Sequence, residues 1–207
     1  ILPFVLVVWA LTGAFYPAVD LCAGEKERGT LETLLCSPAE RQEIVWGKLL
    51  TVTVFSFFTS LLNLASLAGT GAIVTSRLQL PMGNEALSLG TPQLSMIVWL
   101  LTALLPLSAL FSALALATAT LARSTKEGQY YLMPLLLITM PLVIMPMTPN
   151  AELDLGNSLV PVTGIFLLLR KLLEESYWEA LRYLPVVTLV TLGCCVLAIR
   201  WAVEQFN

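Results

Sequence analysis

The sequence predicts an all-α fold, a polytopic membrane helical bundle, and two observations support this class. Of the 207 residues, 57% are hydrophobic and only 12% are charged, whereas soluble domains carry about 25% charged residues. Apolar stretches of nearly the length of a membrane span recur along the chain, and one polar block separates the first two. We therefore expect a single membrane domain over residues 1–207, embedded in a lipid bilayer.

Five apolar segments approach the roughly 20 residues that a helix needs to cross the hydrocarbon. They are Ile1–Val19, Ile44–Val74, Ile97–Ala122, Tyr131–Met147 and Tyr183–Val203. The first segment lacks the basic start and the small-residue cleavage site of a secretion signal, so it is interpreted as a true span. Thr75–Met96 holds several prolines and glycines and is predicted to be an irregular outer loop.

A sixth apolar stretch, Leu159–Leu169, lies in the long outer connection of residues 148–182. As a helix its eleven residues would reach only about 16 Å, against a hydrocarbon core of about 30 Å. Pro161 and Gly164 are expected to break it early. We expect a re-entrant or interfacial segment within 159–173 rather than a span, and a helix over Phe166–Arg182.

The basic residues predict the orientation. With the polar block in the cytoplasm, seven lysines and arginines lie on the inner side and four on the outer side, as the positive-inside rule requires. If the sixth stretch also crossed, the count would become nine against two, so charge alone prefers that alternative. Because the sixth stretch is too short to cross the hydrocarbon, we predict five spans.

The polar block, Asp20–Lys48, holds six acidic and four basic residues. Gly24–Cys36 is predicted to be a short amphipathic helix with leucines on one face and Gly29 as a weak point. Ser37-Pro38-Ala39-Glu40 is a capping-box pattern that predicts a second helix running into the next span. The residues fit two alternatives equally: an elbow that a soluble partner can push, or an inner loop that only fixes orientation.

Composition excludes several classes of function. The chain has no histidine, and its four cysteines show no zinc-site spacing, so no catalytic, metal or cofactor site is expected. The net charge of −3 argues against a nucleic-acid partner. A P-loop pattern is absent from the sequence, so we do not expect this chain to bind ATP through one.

A polar stripe follows helical spacing in the second span. It consists of Thr53, Ser56, Ser60 and Asn63. These side chains could face a transport pathway or bond to a neighbouring helix, and the second role is the commoner one for buried polar groups in membranes. In the third span, serines and alanines four residues apart predict close helix packing.

The string GEKERGTLETLLCSPAERQEIVWGK resembles the signature loop of ABC type 2 exporter permeases, in particular the sodium-exporting NatB-like branch. Gly24–Glu32 matches the family's run without a gap, and Ser37-Pro38 and Gly47-Lys48 also match. The resemblance implies a permease subunit of an ATP-driven exporter in a prokaryotic cell membrane. It also implies a separate ABC ATP-binding subunit, and a second permease copy or paralogue that completes a dimer.

In this family the loop matching Asp20–Ser37 is the coupling helix, and the resemblance places it in a cytoplasmic coupling loop over residues 20–43. The residues that it assigns to contact with the ATP-binding subunit are Gly24, Glu25, Lys26, Glu27, Arg28, Gly29, Thr30, Leu31, Glu32 and Leu35. NatB-like members carry a first span and a large outer domain that this chain lacks, so a fragment is expected.

Two alternatives remain. Glu174-Glu175 resembles the paired glutamates of CAAX-type intramembrane proteases, but position 179 is Glu179 instead of the arginine which that motif needs, and histidine is absent. Ion pairing along a solvated helix surface explains these residues better. The other alternative is a membrane scaffold that has a docking loop but no transport pathway.

Overall fold

The computed structural model describes residues 2–38, 40–78, 94–148, 153–173 and 177–206, and these ranges contain helices and turns but no strand. The helices are α1 (Leu2–Val19), α2 (Glu25–Glu27), α3 (Thr30–Leu35), α4 (Arg41–Leu78), α5 (Leu94–Ala119), α6 (Thr125–Ile144), α7 (Leu155–Ser158), α8 (Pro161–Leu173) and α9 (Tyr177–Phe206). A π-helical turn, Asp20–Gly24, joins α1 to α2, and a 3₁₀ turn, Met145–Met147, follows α6. The all-α fold is confirmed.

Five helices in the described residues are long and apolar enough to cross a membrane, as predicted. These candidate spans are Pro3–Glu27, Arg41–Thr70, Leu101–Ala119, Thr125–Met147 and Ala180–Glu204. Three of them extend further into polar sequence than hydropathy alone predicted, since the first continues to Glu27, the second begins at Arg41 and the fourth begins at Thr125. Helical hydrogen bonds continue beyond the apolar stretch because polar residues can also make them.

α1 and α5 form the centre of the bundle, and their apolar side chains supply nearly half of the buried core. α1 packs against α4, α5, α6 and α8, while α9 packs mainly on α5 and α8. Neither α1 nor α5 carries a charge, which suits a helix that is surrounded by others. Ser108 and Ser112 of α5 are fully buried, in keeping with the predicted packing of small residues.

α1 and α4 approach closely at Gly13. A Cβ at this position would lie 2.8 Å from the Cβ of Thr59 and 3.1 Å from the Cα of Ser56. The Ser56 hydroxyl donates a hydrogen bond of 2.7 Å to the carbonyl oxygen of Ala10. Only glycine permits this contact, in which the two backbones are close enough for a short side chain to bridge them.

The structure corrects the predicted connections. Pro161 is the first residue of α8 and does not break it, because proline lacks only an N–H that the first helical turn leaves unpaired. The predicted helix Phe166–Arg182 is divided between α8 and α9. The predicted loop Thr75–Met96 is shorter, since α4 continues to Leu78 and α5 begins at Leu94, and its centre lies outside the described residues.

α8 lies inside the bundle. Its side chains from Val162 to Leu169 are all buried, and α1, α5, α6 and α9 surround it. The Thr163 hydroxyl donates to the carbonyl of Leu142, 3.1 Å away, and the Arg170 guanidinium donates to the carbonyls of Pro146 and Thr148. With thirteen residues, α8 is about 20 Å long. The re-entrant or interfacial placement of this segment stays a prediction.

Candidate functional site

The polar segment, defined here as residues 20–37, leaves the bundle as a direct continuation of α1. The π-helical turn and α2 carry the helix on to Glu27 without a break. At Gly29 the backbone adopts φ +70°, a left-handed conformation that glycine reaches without steric cost. The predicted single helix over Gly24–Cys36 is therefore wrong, because Gly29 divides it into α2 and α3.

Glu25 joins the polar segment to the start of α4. Its carboxylate Oε2 lies 2.5 Å from Nζ of Lys48, and the same ammonium group donates to the carbonyl oxygen of Leu21 at 2.6 Å. Only 6% of the Lys48 side chain is exposed. A charge buried at this depth needs a paired and hydrogen-bonded partner, and Glu25 supplies it.

Lys26 joins the polar segment to the turn between α5 and α6, residues 120–124, and Glu27 joins it to the start of α6. The Lys26 ammonium donates to the carbonyl oxygens of Thr120 and Ala122. The Glu27 carboxylate accepts two hydrogen bonds of 2.8 Å, from the backbone N–H and the hydroxyl of Thr125. Thr125 is the first residue of α6, where the unpaired N–H groups and the helix dipole favour a negative charge.

The start of α6, which Glu27 contacts, is capped by side chains from α6 and the residue before it. The Ser124 hydroxyl accepts from the N–H of Glu127 at 3.3 Å, and the Glu127 carboxylate accepts from the N–H of Arg123 at 2.8 Å. The Tyr131 hydroxyl also donates to Glu127. Sequence reasoning missed this site, although Ser124-Thr125-Lys126-Glu127 is a capping-box pattern.

The tip of the polar segment, residues 28–33, is the part that remains available to a partner. Arg28, Gly29, Thr30 and Glu32 are exposed, and Leu31 is half-buried. The Arg28 guanidinium lies 3.1 Å from the carboxylate of Asp20, in an ion pair that is itself largely exposed. Of the other predicted contact residues, Gly24 is buried, and the side chain of Leu35 lies outside the described residues.

The start of α4 differs from the predicted capping box. The helix begins at Arg41, and the carboxylate of Glu43 accepts from the backbone N–H of Glu40 at 3.1 Å. The Ser37 hydroxyl donates instead to the carbonyl of Leu34, at the end of α3. The cap lies three residues later than predicted because Glu43 competes successfully with Glu40 for the role of the returning carboxylate. The predicted uninterrupted run into the second span is confirmed.

The polar stripe of α4 has one interhelical hydrogen bond among its four members. Ser56 bonds to α1, whereas Ser60, Thr53 and Asn63 donate to carbonyls of their own helix. Ser56 and Ser60 are fully buried, while Thr53 and Asn63 are half-buried. Ser56 thus has the helix-joining role, and a pathway role for the stripe stays a prediction.

Two further predictions concern metal binding and the paired glutamates. They contain no cluster of three or more histidine, cysteine or acidic side chains that could hold a metal ion. Glu174 and Glu175, on which the protease alternative depends, lie outside the described residues. Among the described residues, the polar segment makes the most extensive polar contacts, which join it to α4 and α6.

These observations define a polytopic helical membrane protein with a polar segment fastened to the end of its bundle. The chain belongs to the ABC-2 transporter family, because the family model described as "ABC-2 family transporter protein" matches residues 1–201. It is similar to the ABC transporter permease protein NatB of Bacillus subtilis (strain 168), with 30% identity over 177 residues. This match covers 84% of the chain but only 44% of NatB. No solved structure matches the chain significantly.

Proposed function

We propose that this chain forms the membrane-embedded part of a permease subunit of an ATP-driven exporter, and that a separate ATP-binding subunit docks on the polar segment. Family membership and the similarity to a protein named as an ABC transporter permease support the general role. The observation that carries the docking proposal is the division of the segment into an exposed tip, residues 28–33, and a fastened base, residues 25–27.

The fastened base, residues 25–27, would transmit movement of the tip to several helices. Glu25 is bound to Lys48 near the start of α4, and Glu27 is bound to Thr125 at the start of α6. Lys26 binds the carbonyls of Thr120 and Ala122 in the turn after α5. Hydrogen bonds between charged partners are roughly twice as strong as neutral ones, so these contacts can persist while the tip moves. Movement of the partner would then tilt α1, α4 and α6 together.

The docking face itself is narrower than the resemblance implies. Of the ten residues assigned to it, Glu25, Lys26 and Glu27 are bound to other parts of the bundle, namely α4, the turn after α5 and the start of α6. We assign contact with the partner to Arg28, Gly29, Thr30 and Glu32, together with Leu31. This arrangement gives mixed charge around one apolar side chain, which suits a polar and reversible subunit contact.

The proposal also covers the transport pathway and the transported ion. Two permease halves, alike or different, would enclose the pathway, with the half-buried Thr53 and Asn63 better placed to face it than the fully buried Ser56. The NatB-like resemblance makes sodium the cargo to test first. ATP hydrolysis would take place on the partner subunit, and residues 20–43 would lie in the cytoplasm of a prokaryotic cell.

The docking proposal is tested by co-purification of the full-length protein with its ATP-binding subunit. Arg28→Glu should leave membrane insertion intact and reduce the copurified subunit severalfold, because it reverses the charge at the exposed tip. Glu204→Lys is the control, since it also reverses an exposed charge and, by the alternation of five spans, lies on the same side. Equal recovery with both variants would contradict docking at the tip.

Transport is tested in sealed vesicles that contain the permease and the ATP-binding subunit. We expect ATP-dependent movement of radioactive sodium, and its loss with Arg28→Glu. Normal assembly without transport of any cation would favour the scaffold alternative. Bound zinc in stoichiometric amount on the purified protein would instead favour the protease alternative, against which the family membership already argues.

A further inference from the structure

A groove beside the polar segment has the chemistry of a cation site. It lies where the end of α1 meets α4 and α6, and its volume is about 500 Å³. Ligand pockets for small organic molecules have volumes of roughly 300–1,000 Å³. The residues that carry its chemistry are Tyr16, Asp20, Thr51, Phe55, Thr125 and Gln129.

The groove lining carries one carboxylate, and Arg28, which lies outside the lining, pairs with it at 3.1 Å. Of the described residues that line it, Asp20 alone is charged, and its side chain is 61% exposed. Thr51, Thr125 and Gln129 add polar groups around it, and none of them carries a charge. A carboxylate in such surroundings attracts a cation and repels an anion.

Two aromatic rings complete the site. Tyr16 and Phe55 line the groove, and both side chains are largely exposed. The buried ring of Phe15 meets the Tyr16 ring edge to face, with centroids 5.4 Å apart, and so holds it in place. Aromatic faces bind substituted ammonium ions through cation–π attraction.

Size and lining distinguish between kinds of cation. A bare metal ion needs several oxygen ligands within about 2.6 Å, and the described lining offers one carboxylate in a wide, partly apolar groove. An ammonium ion that carries alkyl groups needs one counter-ion and apolar walls, which this groove supplies. We propose that the groove binds a substituted-ammonium cation, with Asp20 as its counter-ion and Tyr16 and Phe55 as its walls.

The polar segment controls this groove at two points. Arg28 pairs with Asp20 at 3.1 Å, so its guanidinium competes with a ligand cation for the same carboxylate. Glu27 holds Thr125, which lines the groove on α6. The π-helical turn that presents Asp20 begins at this residue, and such turns recur at functional sites. Any partner that draws Arg28 away would make Asp20 fully available to the cation.

Binding can be measured on the purified full-length protein in detergent, with dansylcholine as a fluorescent quaternary-ammonium probe and no ATP-binding subunit present. Asp20→Asn should weaken binding roughly tenfold by removing the counter-ion, and Tyr16→Leu should weaken it roughly two- to fivefold. Arg28→Gln should tighten binding roughly two- to fivefold, which corresponds to the loss of a competing exposed ion pair.

Glu204→Gln is the matched control, because it removes an exposed carboxylate that is not part of the groove lining. Asp20→Asn and Arg28→Gln break the same ion pair, so opposite effects on affinity separate a counter-ion from a structural contact. The proposal is overturned if Asp20→Asn binds the probe as the control does, or if Arg28→Gln weakens binding as Asp20→Asn does.

The cation could be a free solute or the headgroup of a lipid, and competition distinguishes these sources. Displacement of dansylcholine by phosphatidylcholine but not by phosphatidylglycerol would assign the groove to an ammonium headgroup. Displacement by tetrapropylammonium but by neither lipid would assign it to free organic cations. Equal displacement by both lipids would show a site for acyl chains and would contradict the proposal.

Discussion

Lys48 and Glu25 form an ion pair that fastens α4 to the continuation of α1. The nitrogen–oxygen distance is 2.5 Å, and the lysine side chain is 6% exposed while that of the glutamate is 25% exposed. The pair lies where the polar segment begins, between a helix at the bundle centre and the longest helix among the described residues. Since the lysine charge is buried and the glutamate charge is partly buried, each is stabilised by the other.

Replacing Lys48 by methionine should lower the free energy of unfolding by roughly 2–4 kcal/mol, because Glu25 loses its partner while it remains partly buried. Thermal or denaturant unfolding of the detergent-solubilised protein measures the change. Lys126→Met, which removes an exposed charge near the same end of the bundle, should change stability by less than about 0.5 kcal/mol.

The double variant Lys48→Met/Glu25→Gln should recover part of the lost stability, because no charge is then left buried without a partner. If Lys48→Met lowers the free energy of unfolding no more than Lys126→Met does, the ion pair between Lys48 and Glu25 contributes nothing to stability.

Gly29 and Gly47 should respond in opposite directions to alanine. Gly29 has φ +70°, so Gly29→Ala should cost about 1–2 kcal/mol. Gly47 lies inside α4 with nothing within 4 Å of the added Cβ, so Gly47→Ala should stabilise by about 0.5–1 kcal/mol. Amide hydrogen exchange over the polar segment and α4 measures both changes. Equal effects of the two substitutions would contradict a left-handed Gly29.

The contact between α1 and α4 is tested at Gly13. Gly13→Ala places a Cβ 2.8 Å from that of Thr59, so the helices must separate, at a cost of about 1–3 kcal/mol. Gly69→Ala is the control in α4, since the space around Gly69 is open. Melting temperatures in detergent should fall for the first variant and hold or rise for the second. The reverse order would show that the two helices do not pack at Gly13.

Cys36 reports the orientation of the polar segment. It is exposed, whereas Cys22 and Cys195 are buried and Cys194 is half-buried. A membrane-impermeant maleimide should therefore label Cys36 in inside-out vesicles and leave it unlabelled in intact cells, with Cys36→Ser as the negative control. Labelling from outside intact cells would reverse the orientation and remove the basis for docking of a cytoplasmic ATP-binding subunit.

The starts of α4 and α8 show how local signals can be ambiguous. Ser37 and Glu40 have the spacing of a capping box, yet Glu43 provides the returning carboxylate for Glu40. At α8, Pro161 was expected to break a helix that it begins. In both cases the residue type correctly marks a helix boundary, but the same residue can stand on either side of it.

The sequence by itself determined the five long apolar helices and the polar segment between the first two, because hydropathy is a property of neighbouring residues. Only the tertiary structure decided what the charges of that segment do. The partners of Glu25, Lys26 and Glu27 stand 23, 94 and 98 residues away, and no local pattern encodes such contacts. The same holds for the groove at Asp20, whose walls come from three helices that meet only when the bundle packs.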